Sequence, residues 1–79
     1  METGPHEELA KLKSEIMEAW HELDVLRTSM ELDLAKSLNG VRTAGVRTRK
    51  GLKLLAQQSQ NIRKQLLKLQ KQYDALKKQ

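Results

Sequence analysis

An all-α fold, an antiparallel hairpin of two long helices with coiled-coil-like packing, is predicted by three features of the sequence. Apolar residues recur in alternating steps of three and four on both sides of a single Asn39-Gly40 break. Neither flank of that break shows the period-two alternation of a strand. An acidic half also precedes a basic one: residues 1–40 hold 4 Lys/Arg against 9 Asp/Glu, whereas residues 41–79 hold 11 against the single acid Asp74. Folding one half back on the other leaves the net charge of +5 largely on one side of a small rod. At 79 residues the chain is one domain, 1–79, near the size at which a lone core is marginal. Copies are therefore expected to associate, with two hairpins forming a four-helix bundle.

The first helix is expected over about residues 5–38. Met1 to Gly4 should fray, Pro5 suits a first helical position, and Glu7 and Glu8 complement the positive end of the helix dipole. Labelled as a heptad, Leu9, Ile16, Leu23 and Met30 fall at a, and Leu12, Ala19 and Leu26 at d. The next d position is Asp33, a poor core residue. The apolar stripe is expected to shift there to Leu34 and Leu38, locally unwinding the supercoil. Trp20 and Leu34, at e, widen the apolar face. Either further helices cover that width, or Trp20 lies across the partner helix of its own hairpin.

Asn39-Gly40 reads as a helix stop, since both residues tolerate the left-handed conformation that closes a C-terminus. The turn is placed at about 39–43, with Thr43 as N-cap of the second helix. That helix, about 44–78, repeats Val41, Thr48, Leu55, Ile62, Leu69 and Leu76 at d, and Gly45, Leu52, Ser59, Leu66 and Tyr73 at a. Small residues near the turn, Ala44, Gly45, Thr48 and Gly51, allow close backbone approach there. Gly45 and Gly51 each cost about 1 kcal/mol of helix propensity relative to Ala, which favours a packing role for them, or fraying. The g column is Gln58, Gln65, Gln72 and Gln79, suited to a polar flank beside another helix or simply a Gln-rich composition. Leu54 and Leu67 lie off the seam and define no coherent second face.

Composition excludes several functions. Without cysteine there are no disulfides or thiolate metal sites. Trp20 and Tyr73 are the only aromatic residues, too few for base stacking on single strands. No apolar run approaches the ~18 residues of a membrane span. The start lacks a signal-peptide layout, and Glu2 rules out N-myristoylation. His6 and His21 have no acid cluster at metal-ligand spacing, and no serine has a base in a triad arrangement. No phosphate-cradling glycine loop is present. No enzyme activity, cofactor, metal or small-molecule substrate is expected.

Most basic residues of the second helix fall away from its expected seam. Arg42, Arg49 and Arg63 stand at e, Lys50, Lys64, Lys71 and Lys78 at f, and Arg47, Lys53 and Lys68 widen the patch. From Ala44 to Lys78 such a helix would be ~52 Å long, more than one turn of B-DNA at ~34–36 Å. The acids of the first half are too few to neutralise these bases together with Lys11, Lys13, Arg27 and Lys36. An anionic partner follows.

The segment Asp33-Leu34-Ala35-Lys36, then Gly40, then Ala44-Gly45-Val46-Arg47-Thr48-Arg49-Lys50 resembles the bacterial histone H1-like (Hc1-type) DNA-binding proteins. The similarity covers roughly Leu23 to Lys71. The chain departs from the family pattern at Val41-Arg42, where Asn-Lys is usual, and it lacks the Lys/Ala/Pro-rich tail of Hc1 itself. The resemblance implies a nucleoid-associated protein that compacts double-stranded DNA, with RNA left open; a cytoplasmic location is the expectation from the lack of an apolar span and signal layout. Arg42, Arg47, Arg49 and Lys50 would carry binding, and Lys53, Arg63, Lys64, Lys68 and Lys71 would extend it. Phosphate neutralisation indifferent to base sequence is the expected mechanism, and bridging without the tail would need a homodimer or larger assembly. Two other readings stand beside it: an assembly or adaptor protein that binds another helix or an acidic protein surface, and a basic helix at an anionic membrane. The second is disfavoured because the first helix should cover the apolar side.

Overall fold

The computed structural model describes residues 5–77 and contains three helices in order, α1 (Pro5–Ser29), α2 (Glu31–Leu38) and α3 (Arg42–Lys77), with no strand among the described residues. The expected fray at Met1–Gly4 and the Lys78 and Gln79 positions lie outside the described residues. Helices α1 and α2 run end to end along one face of α3, so the fold is the expected all-α hairpin, 58 × 22 × 14 Å.

The first limb is not one uninterrupted helix. At Met30 the backbone tightens: its N–H donates three residues back to the Arg27 carbonyl at 3.1 Å, and its own carbonyl accepts from Leu34 at 2.9 Å. Ser29 contributes by turning its hydroxyl onto the Leu26 carbonyl at 2.7 Å, a back-bond that tends to bend helices. Arg27 spans the irregularity, pairing with Asp24 at 3.0 Å and Glu31 at 3.1 Å.

At the turn, Gly40 takes φ +91°. Its N–H donates to the Ser37 carbonyl and that of Val41 to the Lys36 carbonyl, both at 3.0 Å. Together these bonds make a Schellman closure, which satisfies the last carbonyls of α2. The Val41 carbonyl then accepts from Gly45 at 3.2 Å and opens α3. Thr43, expected as N-cap, therefore lies inside the first turn of α3. The reversal needs only residues 39–41, because the closure of α2 hands the chain directly to α3.

Leu9, Leu12, Ile16, Ala19, Leu23, Leu26, Met30, Asp33 and Ser37 all face inward, in unbroken steps of three and four. The expected shift at Asp33 does not occur: Asp33 and Ser37 stay on the seam, and Leu34 and Leu38 are 46% and 79% exposed. Opposite Ser37, α3 carries the side-chain-free Gly45; a Cβ added there would stand 3.0 Å from the Ser37 hydroxyl. A small polar residue fits that gap, where leucine would overfill it.

On α3 the inward residues are Ala44, Thr48, Gly51, Leu55, Gln58, Ile62, Gln65, Leu69, Gln72 and Leu76. These are the d and g columns. Of the expected a column only the two ends, Gly45 and Tyr73, are half-buried; its middle turns away from the seam, for Leu52 is 54% and Leu66 48% exposed, and Ser59 is exposed too. Close approach near the turn sets this phase. Ala44 is wholly buried, and Met30 lies so near Gly51 that a Cβ there would meet its sulfur at 2.6 Å. A straight helix docked on Ala44 and Gly51 carries every seventh residue after them, Gln58, Gln65 and Gln72, to the same side. The glutamine column thus lies against the first limb of its own hairpin, and the Oε1 atoms of all three are buried without a hydrogen-bond partner. The best-buried side chains are spread along this seam: Ala44 and Thr48 by the turn, Ile62 midway, and Leu9 and Leu12 at the open end.

Candidate nucleic-acid interface

Placing d and g against the first limb turns the b, e and f columns of α3 to solvent. Arg42, Arg49, Lys50, Lys53, Arg63, Lys64 and Lys71 are all exposed, and none lies within ion-pairing distance of a carboxylate among the described residues. They run from the turn to the last quarter of α3. Their charges are not neutralised by ion pairs among the described residues, and they leave two groups of solvated cations on the outer side of α3, one from Arg42 to Lys53 and one from Arg63 to Lys71.

Arg47 and Lys68 are placed differently. Both belong to the c column, on the edge of α3 beside the acids of the first limb. The Nε and Nη2 of Arg47 donate to Asp33 Oδ1 at 3.1 and 3.0 Å. That charge-assisted contact holds the Asp33 carboxyl below the usual carboxylate range and raises the Arg47 guanidinium further. Lys68 shares a hollow with Glu8, Lys11 and Glu15. The expected strip is therefore divided: seven members face outward, and two lean toward the acidic limb. Arg47 takes part in closing the hairpin at the turn, which its place in an Arg-x-Arg-Lys run did not disclose.

The opposite edge is apolar. Trp20, 60% exposed, lines a groove with Leu23, Leu55 and Ser59, whose rim carries Asp24 and Arg27. Leu34, Leu52 and Leu66 continue that edge, and Lys13 stands 5.3 Å from the Tyr73 ring centre at its far end. Leu67, 65% exposed, shares a further hollow with Leu66, Arg63 and Gln70, and Leu54 is 50% exposed. No described helix is long and apolar enough to cross a membrane.

The family model of histone H1-like protein Hc1 matches residues 17–72, from the middle of α1 through the turn to the last turns of α3. All nine basic positions above lie within the match, which ends one residue beyond Lys71. Neither a curated protein nor a solved structure matches the chain.

Proposed function

Since the chain belongs to the histone H1-like protein Hc1 family, we propose that it is a non-enzymatic protein of the nucleoid that binds double-stranded DNA through the outward face of α3 and the adjoining turn. The observation that carries this reading is the row Arg42, Arg49, Lys50, Lys53, Arg63, Lys64 and Lys71, exposed and without carboxylate partners among the described residues. Arg47 and Lys68 add to the field from the side. Binding proceeds by phosphate contact and release of condensed counterions, a contribution largely indifferent to base sequence.

The apolar edge of Trp20, Leu34, Leu52 and Leu66 supports association of copies into a homodimer with coiled-coil-like packing. It also favours a second reading, an adaptor that docks another protein's helix on the same edge. A salt series separates the two. Titration of the full chain with unrelated DNA duplexes should give steep salt dependence; about six phosphate contacts predict a log K against log salt slope near −5. Absence of duplex binding at low salt overturns the DNA reading and leaves the adaptor. A parallel titration with duplex RNA decides which nucleic acid is preferred.

A further inference from the structure

The basic strip of α3 is interrupted. Between Lys53 and Arg63 lie nine consecutive residues, Leu54 to Ile62, without a charged side chain. Leu55, Gln58 and Ile62 turn into the seam. On the outer side the interruption is filled by amides: Gln57, Gln60 and Asn61 line a shallow hollow together with Ala56, Lys53 and Lys64. All three amides are exposed, and none makes a side-chain hydrogen bond among the described residues. The hollow faces away from the first limb, which packs on the d and g columns, so nothing in the hairpin obstructs a close approach from this side.

Spacing gives the arrangement a meaning. Lys53 and Lys64 are eleven positions apart, about 16 Å along a helix, whereas the major groove of B-DNA is about 12 Å wide and admits an α-helix. Two flexible lysines that far apart reach phosphates on opposite walls. The surface between them then lies over base edges, where a cation is not needed and a group that both donates and accepts is. Carboxamides are such groups: Asn and Gln pair bidentately with N6 and N7 of adenine. Ala56, which also lines the hollow, adds little bulk to hold the helix out of the groove.

We propose that Gln57, Gln60 and Asn61 contact base edges in the major groove, adenine by preference, while Lys53 and Lys64 hold the phosphates on its two sides. The assignment rests on the duplex-binding function proposed above and adds a modest A·T preference to its sequence-indifferent part.

The test uses the full chain at fixed ionic strength, with fluorescence anisotropy on A·T-rich and G·C-rich duplexes of equal length. A third duplex carries 7-deazaadenine, which removes the major-groove N7 and leaves the minor groove unchanged. The wild type should bind the A·T-rich duplex roughly tenfold more tightly than the other two, the discrimination of one good bidentate contact. The triple variant Gln57→Ala, Gln60→Ala, Asn61→Ala should bind all three at the lower level. Alanine is the best helix former, and circular dichroism would confirm unchanged helicity. Equal wild-type affinities, indifference to 7-deazaadenine, or a preference that survives in the triple variant overturns the base-contact assignment while leaving phosphate binding in place. If the wild type binds no duplex at all, the proposed function falls with it.

Discussion

Arg47 and Asp33 are joined across the hairpin turn, with two guanidinium hydrogens, from Nε at 3.1 Å and Nη2 at 3.0 Å, converging on one carboxylate oxygen. The carboxylate sits where a leucine would ordinarily complete the seam, and the arginine comes from the segment that most resembles the DNA-binding family. Asp33 titrates below its ordinary value because the Arg47 hydrogen bond favours its charged form. A depressed folded-state pKa contributes stability that is complete above the unfolded value and is lost as pH falls through the folded one. Asp33→Asn should therefore lower Tm at neutral pH, with a deficit relative to wild type that closes as both are acidified below the usual aspartate range. Thermal melts by circular dichroism from neutral to strongly acidic pH would check this; a deficit that persists at the acidic end would contradict it.

Met30 packs directly over Gly51, where an added Cβ would stand 2.6 Å from its sulfur. Gly51→Ala gains about 1 kcal/mol of helix propensity but overpacks against the Met30 sulfur, terminal methyl and Cγ, at about 1–3 kcal/mol. Tm should fall. With Met30→Ala already in place the same substitution should raise it, and a double-mutant cycle would measure the coupling. Gly45→Ala should be milder, because the Ser37 hydroxyl it meets can rotate aside.

Gln65 places an unpartnered carbonyl oxygen within the seam. An unsatisfied buried acceptor costs about 1–3 kcal/mol, so Gln65→Leu should stabilise the hairpin by roughly 1 kcal/mol, some 4–8 °C in Tm for a domain of this size. A lower Tm would mean that the amide has a partner in solution.

Reversal of Arg49, Lys50 and Lys53 to Glu should abolish duplex binding at moderate salt and leave helicity unchanged, since these side chains face solvent. Arg47→Glu should also weaken binding, but it should lower Tm as well by setting two carboxylates side by side. Anisotropy and melting on the same preparations distinguish the two. Duplex affinity unaltered by the triple reversal would show that another surface binds.

Association is tested on the acidic limb, away from the basic strip. Trp20→Ala together with Leu34→Glu should shift the mass measured by sedimentation equilibrium toward the monomer without unfolding the hairpin, because both side chains are largely exposed. Retention of the wild-type mass would place the contact elsewhere.

The hairpin was legible because its signals are local: the three-and-four rhythm of the first limb from Leu9 to Met30, the Asn39-Gly40 stop and the change of charge at the turn. The seam of α3 was only half legible. Its apolar columns, a and d, point to Leu52 and Leu66 as core, yet rotation about the helix axis is set by Ala44 and Gly51. Small residues carry no hydrophobic signal, and their effect on Gln58, Gln65 and Gln72 appears only once the limbs are docked. Asp33 misled for a related reason, since its partner is fourteen residues away and on the other limb. Exposure of the basic row followed from its spacing. The inward lean of Arg47 and Lys68 depends on the same rotation and could not be read beforehand.

The first limb holds most of the acids and the second most of the bases, which gives the hairpin a dipole across its width. A molecule so polarised is turned broadside by the field of a polyanion before it touches, with the cationic limb leading. Once it is seated, the anionic limb stands about a helix diameter, 10 Å or so, farther out, beyond the Debye length of about 8 Å at physiological salt. It subtracts little from adhesion there. What it changes is the exterior: a duplex sheathed in single hairpins would still present carboxylates to its surroundings, and sheathed duplexes would repel one another until a second copy covers that back.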